Sequence, residues 1–419
     1  MRESRIFRDK NRIYFQGEFG ITELTRPLAG LHHAVQTAGY TELVLDFSDC
    51  TAAFAPPMLA LCAQVMRLRS AQIDVDIALP NTEKLARLFQ NANWAYLLAP
   101  GRHPESTFKG FTQVPAFQFR NSDEQQRAVN RIVNGILSGI PDLDRRELAA
   151  LEWSVNEITD NVLNHAQSKI GGLVQVSTFQ RGRKRVEYIV ADAGVGIPAT
   201  LRQSHPKLDS DASALDQAIR EGVTRDKAVG QGNGLFGSYQ ICSHSNGFFQ
   251  VESGYGKLVF TERDGLHVST EKVPYEGTLV IAQINFSVPH LLEEALRFGG
   301  KKHTPVDFVE LHYEKGNADH VVFAMKQEAS SFGSRAAGAP VRNKLANLVR
   351  MCDGQRIHID FADVPLISSS FADEVLGKLF LELGPLTFMQ RFDFRNVEPT
   401  VRKLVDKAIA QRMADTKIS

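Results

Sequence analysis

Cysteine is scarce in this chain: four among 419 residues, Cys50, Cys62, Cys242 and Cys352, with no C-x-x-C pair. That scatter implies neither a zinc site nor a disulfide framework, and it suits a reducing compartment. An excess of charge is missing too. The 48 Lys and Arg balance 48 Asp and Glu, which argues against a dominant grip on nucleic acid or an anionic membrane. No apolar run approaches the roughly 18 residues of a membrane-spanning helix. The first residues, MRESRIFRDKNR, lack the apolar stretch of a signal peptide. The expectation is a cytoplasmic protein with no membrane or nucleic-acid partner. His32 and His33 are adjacent, but no third ligand lies near them in sequence, so surface histidines are expected rather than a metal site.

What is present is ordinary for a globular protein, 43% hydrophobic and 23% charged, and long enough for two to four domains. The most informative stretch is residues 148–167, LAALEWSVNEITDNVLNHAQ. Leu148, Leu151, Val155, Ile158 and Val162 recur at helical spacing, predicting a helix of about five turns. Glu157, Asn161 and His165 recur every four residues, roughly 90° round from that apolar stripe. One face therefore packs, while the next presents a carboxylate, an amide and an imidazole.

Three glycine-rich turns follow. A half-buried strand, VEYIV over 186–190, runs into ADAGVGIP, with Asp192 at the strand exit and Gly194 and Gly196 behind it. Glycine there lets the backbone approach a ligand closely. Next comes VGQGNGLFG over 229–237, leading into a predicted helix. Such a turn aims N–H groups and a helix start at an anion. Last, Glu276-Gly277-Thr278 opens the strand LVIAQINF.

In this order and spacing, the four segments resemble the GHKL (Bergerat-fold) ATP-binding domains, over about residues 120–286. The resemblance implies a fold and a site. The fold is a central α/β sandwich, an antiparallel sheet covered by helices. Glu157 and Asn161 match the E-x-x-x-N helix, with Glu157 acting on the attacking nucleophile and Asn161 helping to hold Mg²⁺. Asp192, Gly194 and Gly196 match the D-x-G-x-G box, whose Asp reads the adenine amino group of ATP. Gly230, Gly232, Gly234 and Leu235 match the loop that cradles phosphates, and Thr278 supports the adenine side. His165 falls where the anti-sigma-factor kinase branch has a His, although Val162 stands where that branch has Ala. Residues 198–230, with the helical piece ALDQAIREG, match the ATP lid; Thr224, Arg225 and Lys227 would then reach the phosphates.

The flanks read as smaller α/β units. In residues 1–112 the sequence predicts strands over 43–47 and 73–79 and helices over 58–69 and 82–90. The central domain spans 115–286, opening with a helix capped by Ser122; residues 287–305 form a linker. The final domain, 306–419, centres on IHIDFADVPLISSSFADEVLGKLF, a strand, a turn and an amphipathic helix. It resembles the STAS-like domains, in which a Ser at the start of this helix is the regulatory phosphorylation point. Here that is Ser370, then Ser369; a plain helix cap by Ser368 to Ser370 is the other reading. A shift of 314 residues lays Asp46-Phe47-x-Asp49 on Asp360-Phe361-x-Asp363. It puts Phe54, Ala55 and Pro56 opposite the three serines, which suggests a diverged STAS-like copy at the N-terminus.

The expected protein is a bacterial signalling ATPase or serine protein kinase using Mg·ATP. Its protein partner would be STAS-like or of the sigma-factor-regulator type, and a homodimer is left open. The alternative is an ATP-gated interaction module with little turnover. A DNA-topology or mismatch-repair ATPase fits less well, given the charge balance.

Overall fold

A computed structural model describes residues 4–108, 114–179, 184–220, 222–223, 233–286, 295–298, 301–302, 305–314 and 319–415. It is mixed α/β. The chain forms two compact units: Met1–Ile132 with Trp153–Thr304, and Val133–Glu152 with Pro305–Ser419.

In the first unit, strands β1 (Arg5–Asp9) and β2 (Arg12–Phe19) form an antiparallel hairpin, turned at Lys10 with φ +52°. Ile13 and Phe15 point inward, with Arg12 and Tyr14 on the opposite face. Strand β2 pairs in parallel with β3 (Glu42–Asp46) and β4 (Cys50–Ala53), and β3 pairs with β5 (Asp74–Ala78). The helices of this part are α1 (Thr25–His32), α2 (Ala55–Ser70), α3 (Glu83–Asn91) and α4 (Trp94–Leu98). The α2 helix begins at Ala55, three residues before the sequence reading, because Pro56 and Pro57 occupy its first turn where no N–H is needed.

The second sheet of this unit runs in the order β6 (Phe117–Phe119), β7 (Gly172–Phe179), β8 (Arg185–Asp192), β10 (Gly265–Asn285), β9 (Phe248–Thr261), with every neighbouring pair antiparallel. Helices α5 (Ser122–Gly139) and α6 (Arg145–Asn161) precede β7. Helices α7 (Gly196–Arg202), α8 (Asp211–Ala218) and α9 (Gly234–His244) lie between β8 and β9. Alternation along β8 gives the sheet two buried faces. On one, the Tyr188 hydroxyl bonds Ser154 of α6. On the other, Leu173, Ile189, Ala191, Leu279 and Ile281 join the apolar core built from α2 and the first sheet. Every residue of α2 from Ala55 to Val65 is buried, as a helix packed on both sides requires. Two polar ties cross that core. The Trp94 indole donates to Gln175 Oε1 at 2.8 Å, and the Gln64 amide donates to the Glu276 carbonyl at 2.8 Å. A short pair, β11 (Arg297–Phe298) and β12 (Lys301–Lys302), follows.

The second unit carries a parallel sheet, β13 (His320–Ala324), β14 (Arg356–Asp360) and β15 (Phe392–Arg395). Its main helices are Arg335–Met351, a run over 369–383 with a π turn at Asp373–Gly377, and Pro399–Asp415. The turn joining α5 to α6 belongs to this unit. The fully buried Asn347 amide donates to the carbonyls of Leu137 (2.9 Å) and Ile140 (2.8 Å), and its oxygen accepts the Leu143 N–H at 3.0 Å. Arg145 forks onto Asp307 (2.7 Å) and Glu314 (2.8 Å). Glu152 accepts the Phe308 N–H at 2.8 Å, and burial, then Asp307, pushes its carboxyl up to about 7.

Positions related by the 314-residue shift make matching local bonds. Asp46 ends β3 and accepts the N–H of Ser48; Asp360 ends β14 and accepts the N–H of Ala362. The Phe47 and Phe361 N–H groups each bond the last carbonyl of the neighbouring parallel strand, Ala78 or Arg395. Phe54 and Ser368 both stand at the N-cap of the following helix.

Candidate functional site

The apolar stripe of α6 is buried as its spacing predicts: Leu148, Leu151, Val155, Ile158 and Val162 are all in the core. The helix ends earlier than 167, however. It is α-helical to Asn161 and then widens into a π turn, Val162–Ala166, closed by Gln167 at φ +53°. Glu157 and Asn161 keep their i, i+4 relation. His165 sits half-buried inside the wider turn and leaves their row, because a π turn holds more residues than an α turn.

The D-x-G-x-G segment seats directly on that turn. The Val195 N–H donates to the Ala166 carbonyl at 2.8 Å. A Cβ on Gly194 would lie 1.9 Å from the same oxygen, so only glycine fits. Asp192, 2% exposed, accepts the Gly194 N–H at 2.8 Å. Burial pushes the Asp192 carboxyl up to about 7, opposed by N–H donation from Gly194 and Thr278.

The third segment closes the far side. Gly277 has φ +115°, and a Cβ there would lie 2.3 Å from the Asp192 carbonyl oxygen. The buried hydroxyl of Ser253 on β9 donates to the Gly277 carbonyl at 2.6 Å, accepts the Ile197 N–H at 2.9 Å and lies 3.3 Å from Thr278 Oγ1. Sequence reasoning missed Ser253. Its only signal is a small hydroxyl residue just before Gly254.

Of the phosphate-loop residues, Gly234 and Leu235 open α9. A Cβ on Gly234 would fall 2.5 Å from Glu157 Oε2, so the loop's end and the candidate base are in contact. Burial, then the neighbouring Asp160, pushes the Glu157 carboxyl up to about 7. Thr224, Arg225, Lys227, Gly230 and Gly232 lie outside the described residues. The helical piece of the expected lid is α8, which packs on β9 through Ala214 and Leu215. Its Asp211 is held by Arg202 (2.6 Å) and the Tyr255 N–H (2.8 Å). That stretch is anchored to the sheet.

Glu157, Asn161, Asp192, Gly194, Gly196, Gly234 and Thr278 thus come from four segments that touch one another. Among the described residues no three His, Cys, Asp or Glu side chains converge on a metal position. The Asn161 amide oxygen is of the hard type that Mg²⁺ takes together with a ligand's own oxygens.

In the second unit, Ser368 caps the helix through the Phe371 N–H at 3.0 Å. Ser370 is half-buried with its hydroxyl 3.0 Å from that of Ser368, and Ser369 is exposed. Asp373 is paired with Arg412 (2.7 Å) and Arg335 (2.8 Å), and Glu374 with Arg342 (3.5 Å). These acids are paired with arginines and oppose an anion on the serines less than unpaired carboxylates would.

Comparison with known families matches residues 337–402 to a STAS-like domain of unknown function (DUF4325). No curated protein matches the chain. Within the second unit, residues 337–402 are STAS-like.

Proposed function

We propose that the first unit binds Mg·ATP where α6, the Asp192 turn, Thr278 and the start of α9 meet. The STAS-like end would turn nucleotide state into a choice of protein partner. The observation that carries this reading is the contact set: Ala166 under Gly194, Gly277 against Asp192, and Gly234 against Glu157. They bring together the helix and the glycine turns that the resemblance assigns to one nucleotide site. Asp192 accepts the adenine amino group. The start of α9 directs N–H groups at phosphate. Mg²⁺, when bound, would neutralise phosphate charge, and Asn161 would help to hold it through its amide oxygen.

Glu157 takes the proton of the incoming hydroxyl, from water or a serine. That oxygen bonds the γ-phosphorus as the bridging Pγ–O bond breaks and ADP leaves. Burial holds the Glu157 carboxyl up at about 7, a value suited to a base working near neutrality; the alternative is an ATP-gated module. The test uses ATP labelled at the γ-position, with and without Mg²⁺, following both released phosphate and labelled protein. Turnover by the unmodified chain and none by Glu157→Ala, with ATP binding retained, supports the enzyme. Binding without turnover makes it the gated module. No binding removes the reading.

A further inference from the structure

Outside the segments already described, one buried amide is aimed at the critical turn of α6. Gln125, 6% exposed, stands in the first turn of α5. Its Nε2 lies 2.8 Å from Thr159 Oγ1, 2.8 Å from Asp160 Oδ1 and 3.4 Å from the Asn156 carbonyl. With two hydrogens to give, it makes two of these bonds at a time. Thr159 is fully buried and donates its own hydrogen back to Val155 O (2.8 Å) or Asn156 O (3.0 Å), so its oxygen faces Gln125 as acceptor. The first turn of α5 is fixed in turn: Asn121 Oδ1 accepts the Glu124 N–H at 2.9 Å, and Glu124 accepts the Arg120 N–H at 2.8 Å.

We infer that Gln125 is a positioning residue, which fixes the last α-helical turn of α6 and thereby the direction of Asn161. The inference rests on the nucleotide reading above. Its geometry is local. Back-bonding by a buried Thr bends a helix, and here the α pattern gives way to a π turn immediately after Asn161. A helix end loosened by one turn can rotate Asn161 away from the phosphates. Gln125 supplies the outside grip that prevents this, because it holds both residues that precede Asn161.

The test substitutes Gln125→Leu, which keeps most of the volume and removes the donor, with Gln125→Met as a gentler second variant. Thr159 keeps its bonds inside the helix and Asp160 is exposed, so both variants should fold. ATP binding is measured by calorimetry in Mg²⁺ and in EDTA, and amide hydrogen exchange is followed over 157–166. We expect unchanged affinity in EDTA, loss of roughly tenfold of the Mg²⁺-dependent gain, as for one hydrogen bond, and faster exchange in the π turn. A purely structural role would lower both affinities together. An unchanged Mg²⁺-dependent gain in a folded variant overturns the inference while leaving the nucleotide reading intact. No ATP binding by the unmodified protein overturns both.

Discussion

Asp192 illustrates how one side chain ties stability to ligand. Burial costs the charged form, so its carboxyl titrates at about 7 in the fold against roughly 4 in an unfolded chain. Between these values the folded state holds the extra proton, so stability falls as pH rises from about 4 to about 7 and levels off above. Glu157 adds a slope of the same sign. Asp192→Asn should flatten this decline in melting temperature measured from pH 4.5 to 8. The same variant should bind ATP about ten- to a hundredfold more weakly, the value of a charge-assisted hydrogen bond, with adenine preference over guanine lost. Equal affinity of the unmodified protein for ATP and GTP would remove the adenine assignment. Among the serines, Ser368→Ala should cost about 1 kcal/mol of stability as a lost cap, and Ser369→Ala very little. Mass spectrometry after incubation with Mg·ATP checks phosphorylation. Modification belongs on Ser370 or Ser369, since Ser368 is committed to the Phe371 N–H.

Among the elements, α6 was legible because five apolar residues at one period have a single solution, and all five are buried. Its π turn was not, since nothing local in VLNHA forbids another α turn; Gln125 and the Thr159 bonds that accompany it come from tertiary packing or leave no periodic trace. The cap of α5 was misplaced by one residue, at Ser122. Asn121 has the better reach, and both residue types cap well. The β1–β2 hairpin leaves a weak trace in the sequence: Ile13 and Phe15 alternate with more polar neighbours, but its turn, Lys10-Asn11, carries no glycine. The glycine turns were legible as turns, but which glycine is indispensable required the contacts. Gly194→Ala should be worse than most surface glycine changes, because its Cβ meets a carbonyl oxygen rather than a movable side chain. A melting temperature and ATP affinity both lower than the parent's are expected; a neutral outcome would show that Gly194 and Ala166 do not make this contact.

On the scale of the whole molecule, the N-terminal α/β part is a structural half of the first unit. Deleting residues 1–113 would expose Leu173, Ile189, Ala191, Leu279 and Ile281 on one sheet face and strand the Gln175 oxygen that the Trp94 indole satisfies. An apolar face of that kind is an aggregation hazard. The deletion should be insoluble or bind a hydrophobic dye strongly, and a monodisperse product with an unchanged melting curve would contradict this account. At the 314-residue shift, the helix with Phe54, Ala55 and Pro56 at its start is spent on core contacts, whereas its C-terminal counterpart keeps Ser369 in solvent.

The grip of Asn347 on the α5–α6 turn also sets an order of events during synthesis. Its partners Leu137, Ile140 and Leu143 leave the ribosome 204 to 210 residues before it does. At about 5–20 residues per second, that gap lasts roughly 10–40 s. Throughout it, two carbonyls, an N–H and the apolar side chains around them wait for a helix not yet made. The first unit is interrupted by this same turn, so it matures around a segment whose own packing comes last. Nascent chains arrested before residue 347 should be cut by protease within 133–152, and chains released past 415 should be protected there. The vulnerable interval for this molecule lies between the synthesis of Leu143 and that of Asn347, when the turn exists and its partner does not.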